Sequence, residues 1–381
     1  MFEGIHPTRV TPSEECGKEA GMTDQTHFLQ DILRQPAEIK RSINYLLGPG
    51  KSSLDNARAL IHSTRDVIIT GIGASWHAAL RAGALLNLDG NHALIQEASE
   101  LLYFATVPRG AVIVAISRTG RSVEIVRLLD KAEASGASVI GITNCADSPL
   151  AKKAAVAIVI PTILDHAISV ATYSTLAIAA SALATPADFG LEDVASSLAG
   201  TVDEAEKQID VWRQQLDQSR WLAAGEVYYF LARGSSSGTC HQARLLWEEG
   251  VKIPATAMST SSFRHGPQEI VRLGMRFCIW LDQLLMRDED YLLACDLREL
   301  GASVMLIGED LPADAADLVC TLPTSPSHWQ SIIDVLPIQL AAERLSRLSG
   351  VDCDSFRICS YVVEDEQGLL PKKAEASPHA D

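Results

Sequence analysis

Four stretches between residues 66 and 161, DVIIT, AVIVAIS, ASVIGIT and VAIVIP, have strand length, yet their apolar side chains do not alternate with polar ones. A strand with one wet face shows that alternation, whereas a strand covered on both faces does not. Helical patterns lie between and beside them: SWHAALRAGALL, SVEIVRLLDKAEASG and SVATYSTLAIAASALA. Buried strands separated by helices can close only as a parallel sheet with helices on both sides, so the chain is predicted to be α/β.

The pattern then starts again. EVYYFLARGSSSGTCHQARLLWEEG (226–250) follows the layout of DVIITGIGASWHAALRAGALLNLDG (66–90), and GASVMLIG (301–308) echoes GASVIGIT (136–143). A duplicated unit is the economical reading. It divides the chain into a first domain over 26–195 and a second over 196–365, with a leader over 1–25 and a tail over 366–381. The polar, helix-periodic segment 201–221 is expected to link the two.

The formal net charge is −16, which excludes a general phosphate-backbone binder, so no nucleic acid partner is expected. Any anion site has to be local. The eight cysteines are scattered without a C-x-x-C pair, and neither a disulfide framework nor a metal site is expected from them. No stretch approaches the length of a spanning helix and no signal peptide is recognisable, so no membrane partner and a soluble, cytoplasmic protein are expected.

Two turns carry the local anion site. AVIVAIS leaves its strand through SRTGRS (117–122), and DVIIT leaves through GIGAS (71–75). Gly, Ser and Thr let backbone N–H groups and short hydroxyls converge on an anion at a helix N-terminus. Each turn taken alone is also what an ordinary strand-to-helix connection requires. Two such turns from one parallel sheet, however, open on the same edge, where open α/β sheets bind ligands. The second copy has QLLMRDED (283–290) in place of SRTGRS, and Leu, Leu and Met cannot cradle a phosphate, so one cradle per chain is expected. GIGASW fails as a dinucleotide fingerprint because Trp76 stands where the third glycine would allow close helix–strand packing. No cofactor is expected.

These motifs together, GIGAS, AISRTGRS, GASVIGITN and SVATYS in the first half with LARGSSS, LLWEEG and SFRHGPQEIV in the second, resemble the sugar isomerase (SIS) family, and most closely its double-domain phosphosugar isomerases and deaminases. The resemblance covers about residues 27–365. It implies two tandem SIS domains, each a flavodoxin-like three-layer sandwich. It also implies a sugar 6-phosphate bound by Ser117, Arg118, Thr119 and Ser122 with Ala74 and Ser75 nearby, and a sugar lined by Val170 and Thr172. Glu249 matches the family's proton-transferring base and His265 its ring-opening histidine, which in related enzymes reaches the neighbouring subunit; a homodimer with shared sites is thus implied. Without the resemblance, Glu248 and Glu249 read equally as the solvated end of a helix, and His265 and His166 as loop residues.

Three departures bear on the reaction. The family commonly has Gln where Arg118 stands, so the guanidinium is expected to add charge to the cradle or to meet an acidic substituent. Tyr361 occupies the position of the lysine that forms a Schiff base in the amidotransferase members, and Leu246 replaces a second lysine. No glutamine-hydrolysing domain is recognisable, so glutamine-dependent synthesis is not expected. The reading is therefore an amino-sugar 6-phosphate aldose/ketose isomerase or deaminase. The alternatives are a phosphosugar-binding sensor without chemistry and a fructosamine-6-phosphate deglycase.

Overall fold

The computed structural model describes residues 25–366 and 369, apart from 89, 91, 186–189, 327 and 328. The expected leader and tail lie almost wholly outside them. In the first half, α1 (His27–Leu47) and α2 (Lys51–His62) precede the sheet. Strands β1 (Val67–Thr70), β2 (Ala93–Ile95), β3 (Val112–Ile116) and β4 (Ser138–Thr143) are then followed in turn by α3 (Ala74–Leu88), α4 (Ala98–Tyr103), α5 (Val123–Ser135) and α6 (Pro149–Lys153). Last come β5 (Val156–Val159) and α7 (Ala171–Ala184). The second half begins with α8 (Leu191–Gln218) and repeats the scheme with β6 (Tyr228–Ala232), α9 (Ser237–Leu246), β7 (Ala255–Ser259), α10 (Thr260–Arg264), β8 (Arg276–Trp280), α11 (Arg287–Glu299), β9 (Ser303–Glu309), β10 (Leu318–Leu322) and α12 (Leu336–Leu348).

Both sheets are parallel and five-stranded, ordered β2-β1-β3-β4-β5 and β10-β9-β8-β6-β7. Numbered within each copy, the two orders are the same, 2-1-3-4-5. The duplication in the sequence is thus a duplication of topology. Every residue of β1 and β3 is buried, as strands without alternation demand. In each sheet the order reverses between the first and third strands, so the turns leaving those strands flank a crevice at the carboxyl edge.

Local chemistry sets the helix ends. Thr26 accepts from Leu29 N at the start of α1, Ser148 accepts from Ala151 N ahead of Pro149 in α6, and Gly136 closes α5 with φ 74°. The helix entering the second half starts at Leu191, well before the expected linker at 201, because Ala195, Leu198, Val202, Ala205, Ile209, Trp212 and Leu216 continue one apolar face. The residue 195/196 division falls inside it.

The largest apolar cluster runs through both halves, from Ile32 and Val114 to Trp280 and Leu340. At its centre lies α7, an Ala-, Ser- and Thr-rich helix in which every residue is buried. It packs against α3 and α1, while the other side of α3 meets α9. There a Cβ on Gly238 would stand 2.4 Å from the His77 carbonyl oxygen, so the helices cross too closely for any side chain. Gly238→Ala is expected to force them apart and to destabilise the fold by ~1–3 kcal/mol, the usual cost of overpacking, read as a lower midpoint in urea denaturation.

Candidate active site

Ser117 follows β3 and donates its backbone N–H to Ile142 O, which holds the turn against β4. Gly120 takes φ 60°, and a Cβ there would lie 2.4 Å from Ser148 Oγ, so the turn accepts glycine alone at its tightest point. Ser117 Oγ accepts from Gly120 N (3.1 Å) and Thr119 Oγ1 from Arg121 N (3.3 Å). Ser122 begins α5 but makes no capping hydrogen bond, which leaves its hydroxyl available. The two turns are tied together where Arg118 N donates to Ser75 Oγ (3.3 Å). The N-terminal ends of α3 and α5 therefore converge on one cavity of about 220 Å³, lined by Ala74, Ser75, Ser117, Arg118, Thr119 and Ser122.

The second half closes this cavity from the other side. Glu249 lines it from a single π-helical turn, Trp247–Val251, that continues α9. Such bulges turn a side chain out of the regular helical register. The turn ends at Lys252, held at φ 62°, whose ammonium donates to the carbonyls of Glu249 and Ser355. Desolvation pushes the Glu249 carboxyl up to about 7, against the pull of the Arg118 and Lys252 charges. Glu248 instead pairs with Arg244 at 2.7 Å and does not line the cavity. Successive helical residues point in different directions, and here only Glu249 faces inward.

A C-terminal strap, residues 359–363, forms the roof. Arg118 fastens it: one Nη donates to Ser169 Oγ (2.9 Å) and Ala167 O, the other to Tyr361 O (2.9 Å), and the guanidinium stacks 4.0 Å from the centroid of the Tyr361 ring. The charge anticipated for the cradle is thus engaged by the strap. Further along, Val363 O accepts from Val123 N (3.1 Å) in the first turn of α5. The strap therefore touches the same helix end that faces the cavity.

The remaining expected residues lie elsewhere. Val170 and Thr172 are fully buried behind the wall. Their backbone N–H groups donate to the Asp165 carboxylate at 2.9 and 3.0 Å, as does that of Ala171, so Asp165 caps α7 and orients the loop carrying Ala167 and Ser169. Arg34, 2.8 Å from Asp165, secures that cap to α1. His265 is exposed at the end of α10 and lies outside the cavity of its own chain. Leu246 is buried in the core, and His166 stacks on His27 with ring centroids 4.0 Å apart.

Glu124 escaped the sequence reading, as did the strap apart from Tyr361, which only the resemblance had singled out. Glu124, in the first turn of α5, lines the cavity with Oε2 buried and without a hydrogen-bond partner. Desolvation, reinforced by Glu366 and Glu97, raises its pKa. An acidic residue in a first helical turn reads in sequence as an ordinary dipole partner, which hid it. The strap shows only a short apolar run among small polar residues and gives no signal of its own.

Residues 60–185 match the family model described as the SIS domain. The chain is 26% identical over 352 residues to the glutamine–fructose-6-phosphate aminotransferase (isomerizing) of Pyrococcus horikoshii, covering 87% of this chain and 56% of that protein. It therefore spans little more than half the length of the curated relatives it matches. Among solved structures, the C-terminal domain of glucosamine-fructose-6-phosphate aminotransferase from Francisella tularensis superposes with a TM-score of 0.78 at 20% identity, covering 87% of this chain and 98% of that one. The glucosamine-6-phosphate deaminase of Thermotoga maritima gives 0.71 at 20% identity, covering 89% and 99%. The chain carries a SIS domain at residues 60–185 and has the tandem architecture of the double-SIS proteins.

Proposed function

We propose that the chain is a phosphosugar aldose/ketose isomerase or deaminase whose two units, taken as residues 26–195 and 196–365, divide the work. The first holds the phosphate and the second supplies the base. One observation carries this reading: a carboxyl poised near neutral pH, Glu249, faces the cavity in which two small-residue turns and two helix N-termini converge. The similarity to an isomerizing aminotransferase and to a glucosamine-6-phosphate deaminase supports the same substrate class.

In this reading the sugar phosphate rests on Ser75, Ser117, Thr119 and Ser122, where hydroxyls and backbone N–H groups supply neutral donors. The Glu249 carboxylate removes the C2 proton beside the C1 carbonyl as the C1 oxygen takes up a proton from solvent, giving an enediol-type intermediate, and then delivers its proton to C1 as the C2 hydroxyl or amine gives one up to solvent and becomes the ketone or ketimine. The isomerisation is redox-neutral and atom-balanced. In the deaminase version the resulting ketimine takes up water and releases ammonia. A base whose pKa lies near the working pH combines a sizeable ionised fraction with useful proton affinity. Glu124 lines the same cavity, and desolvation raises its pKa.

Glu249→Gln is expected to lower turnover ~10²-fold or more and to abolish solvent-deuterium incorporation at C1 or C2, whereas Glu248→Gln keeps both. Equal loss in the two variants would reject the assignment. Binding without exchange in the unaltered chain, across glucosamine, fructosamine and fructose 6-phosphates, would favour a sensor. Wild-type kcat/KM should rise with pH through about 7, since the base acts when ionised. Stability should move the opposite way. With its folded-state pKa above the ordinary 4.5, Glu249 contributes stability that is complete below 4.5 and is lost as pH rises through about 7. At pH 8 the Gln variant should therefore be the more stable protein in a thermal melt.

The cradle is tested by Ser117→Ala with Thr119→Ala. Each lost hydrogen bond to a charged phosphate costs ~1.5–3 kcal/mol, so calorimetric titration should show sugar-phosphate affinity falling at least tenfold in a folded protein. Unchanged affinity would remove these residues from the site.

Because His265 is exposed and outside its own chain's cavity, a ring-opening role requires it to enter the cavity of a second copy. We therefore propose a dimer with shared sites. Light scattering should give at least twice the 41.1 kDa chain mass. Mixing His265→Ala with Glu249→Gln chains should restore part of the activity that each lacks alone. An active monomer would contradict the arrangement.

A further inference from the structure

Arg118 is the one cation in the lining of the cavity that holds Glu249, and among the described residues its guanidinium forms no ion pair. Its acceptors are neutral: Ser169 Oγ (2.9 Å), Ala167 O (3.3 Å) and Tyr361 O (2.9 Å), with the Tyr361 ring centroid 4.0 Å away. Such groups fix the planar fork in place and leave its charge uncompensated. An arginine also stays protonated at any working pH. The Glu249 carboxyl, in the same lining, is likewise in no ion pair among the described residues.

The other titratable groups around Glu249 do not take the part of Arg118. Lys252, next to it on the same turn, is exposed and directs its ammonium to the backbone carbonyls of Glu249 and Ser355. Glu248 is paired with Arg244 at 2.7 Å. Glu124 in the first turn of α5, and Cys359 and Tyr361 of the strap, bring no positive charge, and burial raises the pKa of all three. Against the desolvation of Glu249, the leading opposing influence is the charge of Arg118.

We propose that Arg118 is a positioning residue for Glu249: held at the cavity wall by the strap, its unpaired charge favours the ionised carboxylate, so that a seated strap and a base ready to accept a proton belong to one state. With the strap lifted, Tyr361 no longer holds the guanidinium, water screens its charge, and the carboxyl keeps its proton more readily. The role of Glu249 as base rests on the function proposed above; the control of its ionisation does not.

The test is a carbon-13 NMR titration of the side-chain carboxyls in the full chain, the Glu249 signal being the one lost in Glu249→Gln. The wild-type midpoint is expected at about 7. Arg118→Gln should raise it by ~1 unit or more, the usual effect of losing a close opposite charge, and the pH profile of kcat/KM should move with it. Arg118→Lys, which keeps the charge without the fork, should fall between the two. Tyr361→Leu, which removes the ring and leaves the backbone acceptor, should raise the midpoint as well. An unchanged midpoint in Arg118→Gln, or a shift as large in Arg118→Lys, would overturn the proposal. Should Arg118→Gln fail to fold, Tyr361→Leu decides, and an unchanged midpoint there overturns it. Midpoints that move as expected while no sugar phosphate is turned over would sink the proposed function and leave the role of Arg118 standing. Turnover with a midpoint indifferent to Arg118 would do the reverse.

Discussion

The crossing of α3 with α9, where the backbone of Gly238 lies against the carbonyl of His77, fixes the distance between the two halves of the molecule. Everything at the first cavity depends on it, because α3 begins at the cradle and α9 runs into the turn that bears Glu249. A polar link crosses the same contact. Gln242 Nε2 donates to Ser169 O (3.0 Å), so its Oε1 is an acceptor, and the His77 Nδ1 2.8 Å away must carry the proton. Burial pushes the His77 pKa down to about 3, so the ring stays neutral and this tautomer persists across the physiological range. Ser169 in turn receives Arg118. A side chain of the second half thus helps place the residue that fastens the strap over the first.

The electrostatic design follows from that placement. On the proposed reading, a chain of net charge −16 has to bind a dianion without a broad basic surface, and the guanidinium bordering the small-residue turns is engaged by Ser169 and the strap. What remains for the phosphate is dipolar: helix N-termini, backbone N–H groups and hydroxyls, which gain strength in a partly closed cavity. The same enclosure withdraws water from Glu249 and raises its pKa. In the proposed function, phosphate binding and base activation would therefore be two results of one act of packing. The ionised carboxylate is kept in that setting at a cost in stability, as functional sites commonly are.

How much of this could be read from the sequence depended on the range of the interaction. The duplicated α/β layout was legible because strands without alternation require helices on both sides, and the two strand orders agree. The small-residue turn after β3 was legible too, as Gly120 and Ser117 express a local geometric need of that turn. Glu249 could not be told from Glu248 by residue type. The difference arises from a one-turn π bulge and from Arg244, which holds Glu248 away. The destination of Arg118 depended on Tyr361, 243 residues distant, and no local pattern carries such information. Glu124 was hidden because its residue type suits a first helical turn for reasons unrelated to ligands.

The two copies show how one topology yields two different crevices. In both, the turn after the third strand leads toward a helix whose first N–H groups need partners. In the first copy, short side chains satisfy part of that need within the turn, and Ser122 leaves its hydroxyl free of any cap. In the second, the Asp282 carboxylate takes up the N–H groups of Leu285 and Met286 directly. A carboxylate seated there removes any need for an external anion and makes the turn self-sufficient. Replacing a neutral small-residue turn by one acidic side chain therefore puts a negative charge on that edge, which repels an anion, with the sheet and its helices left in place.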